Sequence, residues 1–254
     1  MKYLTRPLAI LAFIAVTILP LAVILISVFY RDGEFVFGES MEALQSKRIA
    51  LVTLTNIGLA LAATALSAAL AIPAAWLASR TNVPLARSFL YVAAVPLLIP
   101  SHTVAYAWMQ FMEVIGKVIH GSAGHPLLPY YNMPFCVFVL ALYFFPISFY
   151  GAFAAFRSTD PLAENAALVY QSPLKVFRRV TLPSATPYLF GSIALAGLLI
   201  FTEYGIPAML TVNTFVGELF AFMSGFLSVS NAIVFSFLMF IIILVTGWFV
   251  FRKI

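Results

Sequence analysis

Six long apolar runs, broken by short segments that gather most of the charges, prolines and glycines, constrain this chain more than any other feature. They cover residues 8–29, 50–79, 89–112, 133–156, 188–210 and 231–251. A hydrocarbon core about 30 Å thick takes about 20 residues of α-helix to cross, and inside it no water satisfies a peptide N–H or C=O. Runs of this length therefore predict helices that bond their own backbone. The expected fold is all-α, a polytopic membrane bundle of about six transmembrane helices in one domain over residues 1–254.

Hydrophobic residues make up 63% of the chain and charged residues only 9%, where soluble domains carry about 25% charged. No soluble fold hides that much apolar chain. Six spans and their connections use up the length and leave no room for an ATPase or another large enzymatic domain. The chain itself is therefore expected to be no enzyme and to need no cofactor, and any energy input is expected from a partner. The net charge of +5 is spread in pairs between runs, which points away from nucleic acid and toward membrane topology. With the N-terminus in the cytoplasm, Lys2, Arg6, Arg80, Arg87, Arg157, Lys175, Arg178, Arg179, Arg252 and Lys253 lie inside. Arg31, Lys47, Arg48 and Lys117 lie outside, ten basic residues against four, which satisfies the positive-inside rule. Both termini then face the cytoplasm of a bacterium, from its inner membrane. The first run, Leu8 to Phe29, exceeds the roughly 7–15 residues of a signal-peptide core and is read as a retained helix. The lone Cys136 lies inside an apolar run and is read as a packing residue.

The second run is rich in small residues, among them Gly58, Ala62, Ala63, Ala65, Ser67, Ala68, Ala69 and Ala71. Small side chains let another helix approach closely, so this helix is expected inside the bundle. Glu203 falls 15 residues into the fifth run, roughly 22 Å along a helix and toward the outer leaflet. A lone carboxylate there is costly, and Gly205 and Pro207 just beyond it predict unwound backbone, tolerated where protein or a water-filled cavity satisfies it. Glu203, Tyr204, Gly205 and Pro207 are thus candidates for a translocation path, the alternative being a solvated carboxylate in an outer loop. His102 follows Pro96 and Pro100 in the third run and either faces the same path or packs. His120 and His125 stand in an outer loop without a ligand-like cluster, so no metal site is expected.

The longest inner connection, residues 157–187, carries two helix-start signals, Asp160-Pro161 and Ser172-Pro173. They predict a short helix, a break and a second short helix. On the first, Leu162, Ala166 and Val169 share one face, with small neighbours Ala163 and Ala167. Such a face either enters a groove of a cytoplasmic partner or lies on the bilayer surface.

The stretch Glu164-Asn165-Ala166-Ala167-Leu168-Val169-Tyr170, with Phe177, Val180, Leu182 and Pro183 beyond it, resembles the EAA loop of ABC-importer permeases. Glu164, Ala166, Phe177, Leu182 and Pro183 match that pattern in register, Val180 replaces an Ile, and Asn165 and Tyr170 stand where the family has Ala and Gly. Tyr adopts positive φ less readily than Gly, so the turn at Tyr170 is expected to be built differently. The resemblance implies a type I ABC-importer permease with a cytoplasmic coupling helix, in which Glu164, Ala166, Ala167, Tyr170, Phe177, Leu182 and Pro183 couple to an ATPase. It also implies two cytoplasmic ATPase subunits, a second permease copy or half, an extracytoplasmic solute-binding protein and surrounding lipid.

Asn56 through Arg80, ending in Ala75-Trp76-Leu77 and Arg80, is similar to the family's second span. Val95-Pro96-Leu97-Leu98-Ile99-Pro100, Ala105-Tyr106-Ala107-Trp108 and Glu203-Tyr204-Gly205-Ile206-Pro207-Ala208 resemble the subgroup for ferric iron, thiamine and aminoethylphosphonate. Those permeases are often fused chains of twelve helices, so a half-size subunit or the first half of a longer chain is expected. An ion-coupled secondary transporter is the competing class. It would call for more intramembrane carboxylates or an inverted repeat, and neither stands out.

Overall fold

The computed structural model describes residues 12–20, 22–23, 26, 30–31, 34–35, 46–82, 84, 86–120, 132–224 and 229–252. The chain is an all-α polytopic membrane protein. The helices are α1 (Lys47–Arg80), α2 (Ala86–Val92), α3 (Val95–Leu98), α4 (Ser101–His120), α5 (Met133–Ser158), α6 (Pro161–Leu168) and α7 (Pro173–Val176). A π-helical turn (Phe177–Thr181) leads into α8 (Leu182–Thr202), followed by α9 (Gly205–Met209), α10 (Phe215–Ser224) and α11 (Val229–Phe251). Two-residue strands β1 (Tyr30–Arg31) and β2 (Glu34–Phe35) pair antiparallel.

Among the described residues, three single helices are long and apolar enough to cross a bilayer: Lys47–Arg80, Met133–Ser158 and Pro173–Thr202. Ser88–Leu98 and Ser101–Ile119 form a bent pair that amounts to a fourth if taken as one span. Helix α11 overlies the expected last run, and residues 12–20 are helical within the first. Most of the rest of that first run, most of the first outer loop and His125 lie outside the described residues.

By its contacts the chain divides into two compact units, Thr53–Gly217 with Val245–Ile254, and Met1–Val52 with Glu218–Leu244. In the larger unit the core gathers Ala71 and Ala75 of α1, Phe149, Ala152, Ala155 and Phe156 of α5, and Ala185 and Leu189 of α8. One face of α1 is buried, from Ile49, Val52 and Asn56 through Leu59 and Ala60 to Ala63, Ser67, Ala71 and Ala75. Side chains three and four apart share a helix face, and from Ala60 onward every residue of this stripe is small enough to admit a close neighbour. Gly58, Ala62, Ala65 and Ala69 face outward, so the helix expected inside the bundle buries one face within this chain and no more. Ser67 donates to Ser148 of α5 at 3.0 Å, a buried polar pair that satisfies itself.

Helices α5 and α8 approach so closely at Gly151 that a Cβ there would overlap the Ser192 side chain. Gly151→Ala is therefore expected to destabilise the protein by about 1–3 kcal/mol through overpacking. A thermal unfolding midpoint in detergent equal to that of the wild type would contradict this.

The smaller unit is tied by an ion pair, Arg48 Nη2 to Glu218 Oε1 at 3.0 Å, and by the stacked rings of Phe222 and Phe235, 5.1 Å apart. Glu218 is buried, while Arg48 reaches it from an exposed position.

The third run is bent, with α2–α3 and α4 meeting at 103° across the break at Ile99-Pro100. A proline at 100 denies its predecessor the helical conformation, and Ile99 is extended at φ −105° and ψ 135°. One expectation changes, because the second short loop helix is not separate. From Ser172, whose carbonyl accepts from Lys175 and Val176 N–H, the chain runs through α7 and the π turn directly into the fifth span.

Candidate functional site

The loop helix α6 starts where its sequence requires. Asp160 Oδ1 accepts from Leu162 N–H at 2.9 Å, and Pro161 occupies the first turn, where a missing N–H costs nothing. No α6 residue is fully buried, and Leu162, Val169 and Tyr170 are 77%, 71% and 89% exposed. Ala166 and Pro183 are exposed as well, and Ala167 is half-buried. The helix ends without positive φ at Tyr170, since the N–H groups of Tyr170 and Gln171 both return to the Ala167 carbonyl, at 3.2 and 3.0 Å. A Tyr can therefore stand where the family pattern has Gly.

Glu164 turns away from this outer face. Its Oε1 lies 3.3 Å from Arg80 Nη2 and 3.2 Å from the Thr159 hydroxyl. The same Arg80 Nη2 reaches the carbonyls of Phe156 at 2.6 Å and Thr159 at 3.0 Å, and also Thr159 Oγ1. Carbonyls at a helix C-terminus lack intrahelical partners and carry partial negative charge, so a cation suits the end of α5. Arg80 Nε is buried without a hydrogen-bond partner. Phe177 also turns inward, with its ring 5.0 Å from Trp76 and 6.0 Å from Phe156, and Leu182 packs on the same core. Apart from the half-buried Ala167, the seven coupling candidates thus divide by direction. Glu164, Phe177 and Leu182 anchor the loop, whereas Ala166, Tyr170 and Pro183 face out.

At the other end of the fifth span, α8 stops at Thr202 and Glu203 is extended, at φ −73° and ψ 131°. Glu203 Oε1 accepts from Gly205 N–H at 2.7 Å and from Ile206 N–H at 3.4 Å, capping α9. The carboxylate satisfies the first two N–H groups of the new helix, and Gly205 and Pro207 do not break the helix as expected. They begin a new one, with Pro207 third in α9, where its missing N–H leaves no bond unmade. Gly205 is needed for a different reason. A Cβ there would strike Ser101 Oγ and come within 3.2 Å of His102 N, so the two helix breaks meet at this glycine. The His102 side chain itself is exposed, as is Tyr204. Tyr143 donates to the Ile99 carbonyl at 3.2 Å, which the third-run break leaves open.

Two residues that the sequence reading passed over complete this region. Asn56 is buried and donates its side-chain N–H to the Phe201 carbonyl at 3.1 Å, a group freed when α8 ends. Thr211 holds φ at 56°, a left-handed conformation costly for a β-branched side chain, just beyond α9. An amide side chain beside Thr53 and Thr55 within an apolar run was the available signal for Asn56. Asn56→Ala strands a buried carbonyl and is expected to cost about 1–3 kcal/mol, seen as a lower unfolding midpoint in detergent.

No family model and no curated protein sequence matches the chain. Solved structures do match. A chain of a bacterial ABC transporter involved in the import of the acidic polysaccharide alginate superposes with a TM-score of 0.73 at 14% identity, over 99% of this chain and 95% of that one. The bacterial alginate ABC transporter in complex with an alginate pentasaccharide-bound periplasmic protein gives 0.73 at 14%, over 98% and 92%. The methionine ABC transporter MetNI in an inward-facing conformation gives 0.62 at 14%, over 83% and 100%. The chain shares the fold of these transporter chains.

Proposed function

We propose that this chain is the permease subunit of an ATP-driven importer, that α6 and the turn after it dock into a separate cytoplasmic ATPase, and that the meeting helix breaks border the solute path. The observation that carries the reading is the two-sided loop helix. Its outer face offers Leu162, Ala166, Val169 and Tyr170 to a partner, while Glu164 and Phe177 bind it back to the membrane helices. A loop lying on the bilayer surface would need no such tie. The fold shared with import systems supports the same role.

On this reading the chain works with two ATPase subunits, a second permease copy or half, and an extracytoplasmic binding protein. It sits in a bacterial inner membrane with both termini inside. The alginate system bound to its periplasmic protein makes the last partner a natural one to seek. Ferric iron is the first solute to test, on the subgroup resemblance around Val95–Pro100 and Glu203–Ala208, with thiamine and aminoethylphosphonate next.

The deciding experiment purifies the chain in mild detergent and identifies what comes with it. An ATP-hydrolysing ABC subunit in stoichiometric amount is the expected result. Uptake that follows an ion gradient, with no ATPase bound, would replace this reading with a secondary transporter.

A further inference from the structure

We propose that Arg80 is the positioning residue that joins α6 to spans α1 and α5, so that a displacement of α6 moves both. The proposal rests on the reading of α6 as the ATPase-docking helix. Arg80 ends α1, its Nη2 bonds the carbonyls of Phe156 and Thr159 at the end of α5, and it pairs with Glu164, the acidic residue of the first turn of α6. One planar cation therefore stands where three helices meet. The pair is largely shielded, with side-chain exposures of 16% and 14%, so solvent ions screen it little.

Packing alone does not hold α6, because none of its residues is fully buried. Its polar ties run from Glu164 to Arg80 and to the Thr159 hydroxyl, and Arg80 also bonds Thr159. Trp76, one turn earlier on α1, meets Phe177 beyond α7, so a single face of α1 grips both sides of the loop. Arginine suits the position because its guanidinium can address several oxygens at fixed angles, which the ammonium of a lysine cannot.

The test has two arms. In the first, amide exchange of residues 161–168 is measured on the purified permease in lipid nanodiscs. Losing hydrogen bonds to a charged group should let Arg80→Ala exchange these amides about ten- to a hundredfold faster, with Arg80→Lys between it and the wild type. Unchanged exchange in Arg80→Ala overturns the proposal, and Arg80→Lys carries the test if Arg80→Ala fails to accumulate.

In the second arm the complex with ATPase is trapped with ATP and orthovanadate. The wild type is expected to change exchange in the loop and in the last turns of α1 and α5. Arg80→Ala is expected to bind ATPase normally yet confine the change to residues 161–176, a split that mere loss of stability would not produce. An equal response of α1 and α5 in the variant overturns the transmission role. If ATPase binds neither protein, the docking reading fails, and the first arm still decides whether Arg80 holds α6.

Discussion

Ala166→Trp is expected to lower the ATPase that copurifies with the chain about tenfold or more while the protein reaches the membrane at its normal level. Ala166 is exposed on a helix that contributes no fully buried residue, so the permease fold does not depend on it. A partner cleft fitted to a methyl group has no room for an indole. Overpacking a fitted contact costs about 1–3 kcal/mol, a loss of roughly 5- to 150-fold in binding. Val118→Trp, on the equally exposed last turns of α4, serves as the control for bulk alone. Glu164→Arg should also uncouple, by a different route, since it sets a second guanidinium against Arg80 and frees α6 from within. Normal ATPase retention and normal coupled hydrolysis in Ala166→Trp would remove the docking assignment.

Glu203→Gln is expected to leave the protein folded and bound to ATPase while reducing uptake roughly tenfold. The amide keeps an oxygen to accept from Gly205 and Ile206, so the cap of α9 survives, but the charge is gone. Charge-assisted hydrogen bonds are about twice as strong as neutral ones, and a difference near 1.4 kcal/mol corresponds to about a factor of ten. Glu203→Ala should lower abundance as well, because both N–H groups lose their acceptor at about 1–3 kcal/mol each. Uptake is read first with ferric iron, then with whatever solute the binding protein is found to hold. Full uptake by Glu203→Gln would assign Glu203 a capping role only.

The loop shows how far local signals reach. Asp160-Pro161 placed the start of α6 correctly, because an Asx cap and a first-turn proline act within three residues. Ser172-Pro173 placed the start of α7, but its continuation as the fifth span was invisible, since nothing between Val176 and Leu182 marks a π turn. Similarly, Gly205 and Pro207 drew attention to the right place for the wrong reason. Their composition announced an interruption, and only the capping geometry of Glu203 shows where it begins.

What the sequence determined by itself was the class of molecule, its helical backbone and where the two loop helices start. The physical reason is that hydrocarbon forbids unpaired peptide groups, which makes long apolar runs helical wherever they pack. The tertiary structure alone decided which stripe of α1 is buried, that Glu164 faces Arg80 instead of a partner, and that Asn56 reaches the Phe201 carbonyl across 145 residues. A side chain's partner depends on how distant helices come together, and no periodicity within one helix carries that information.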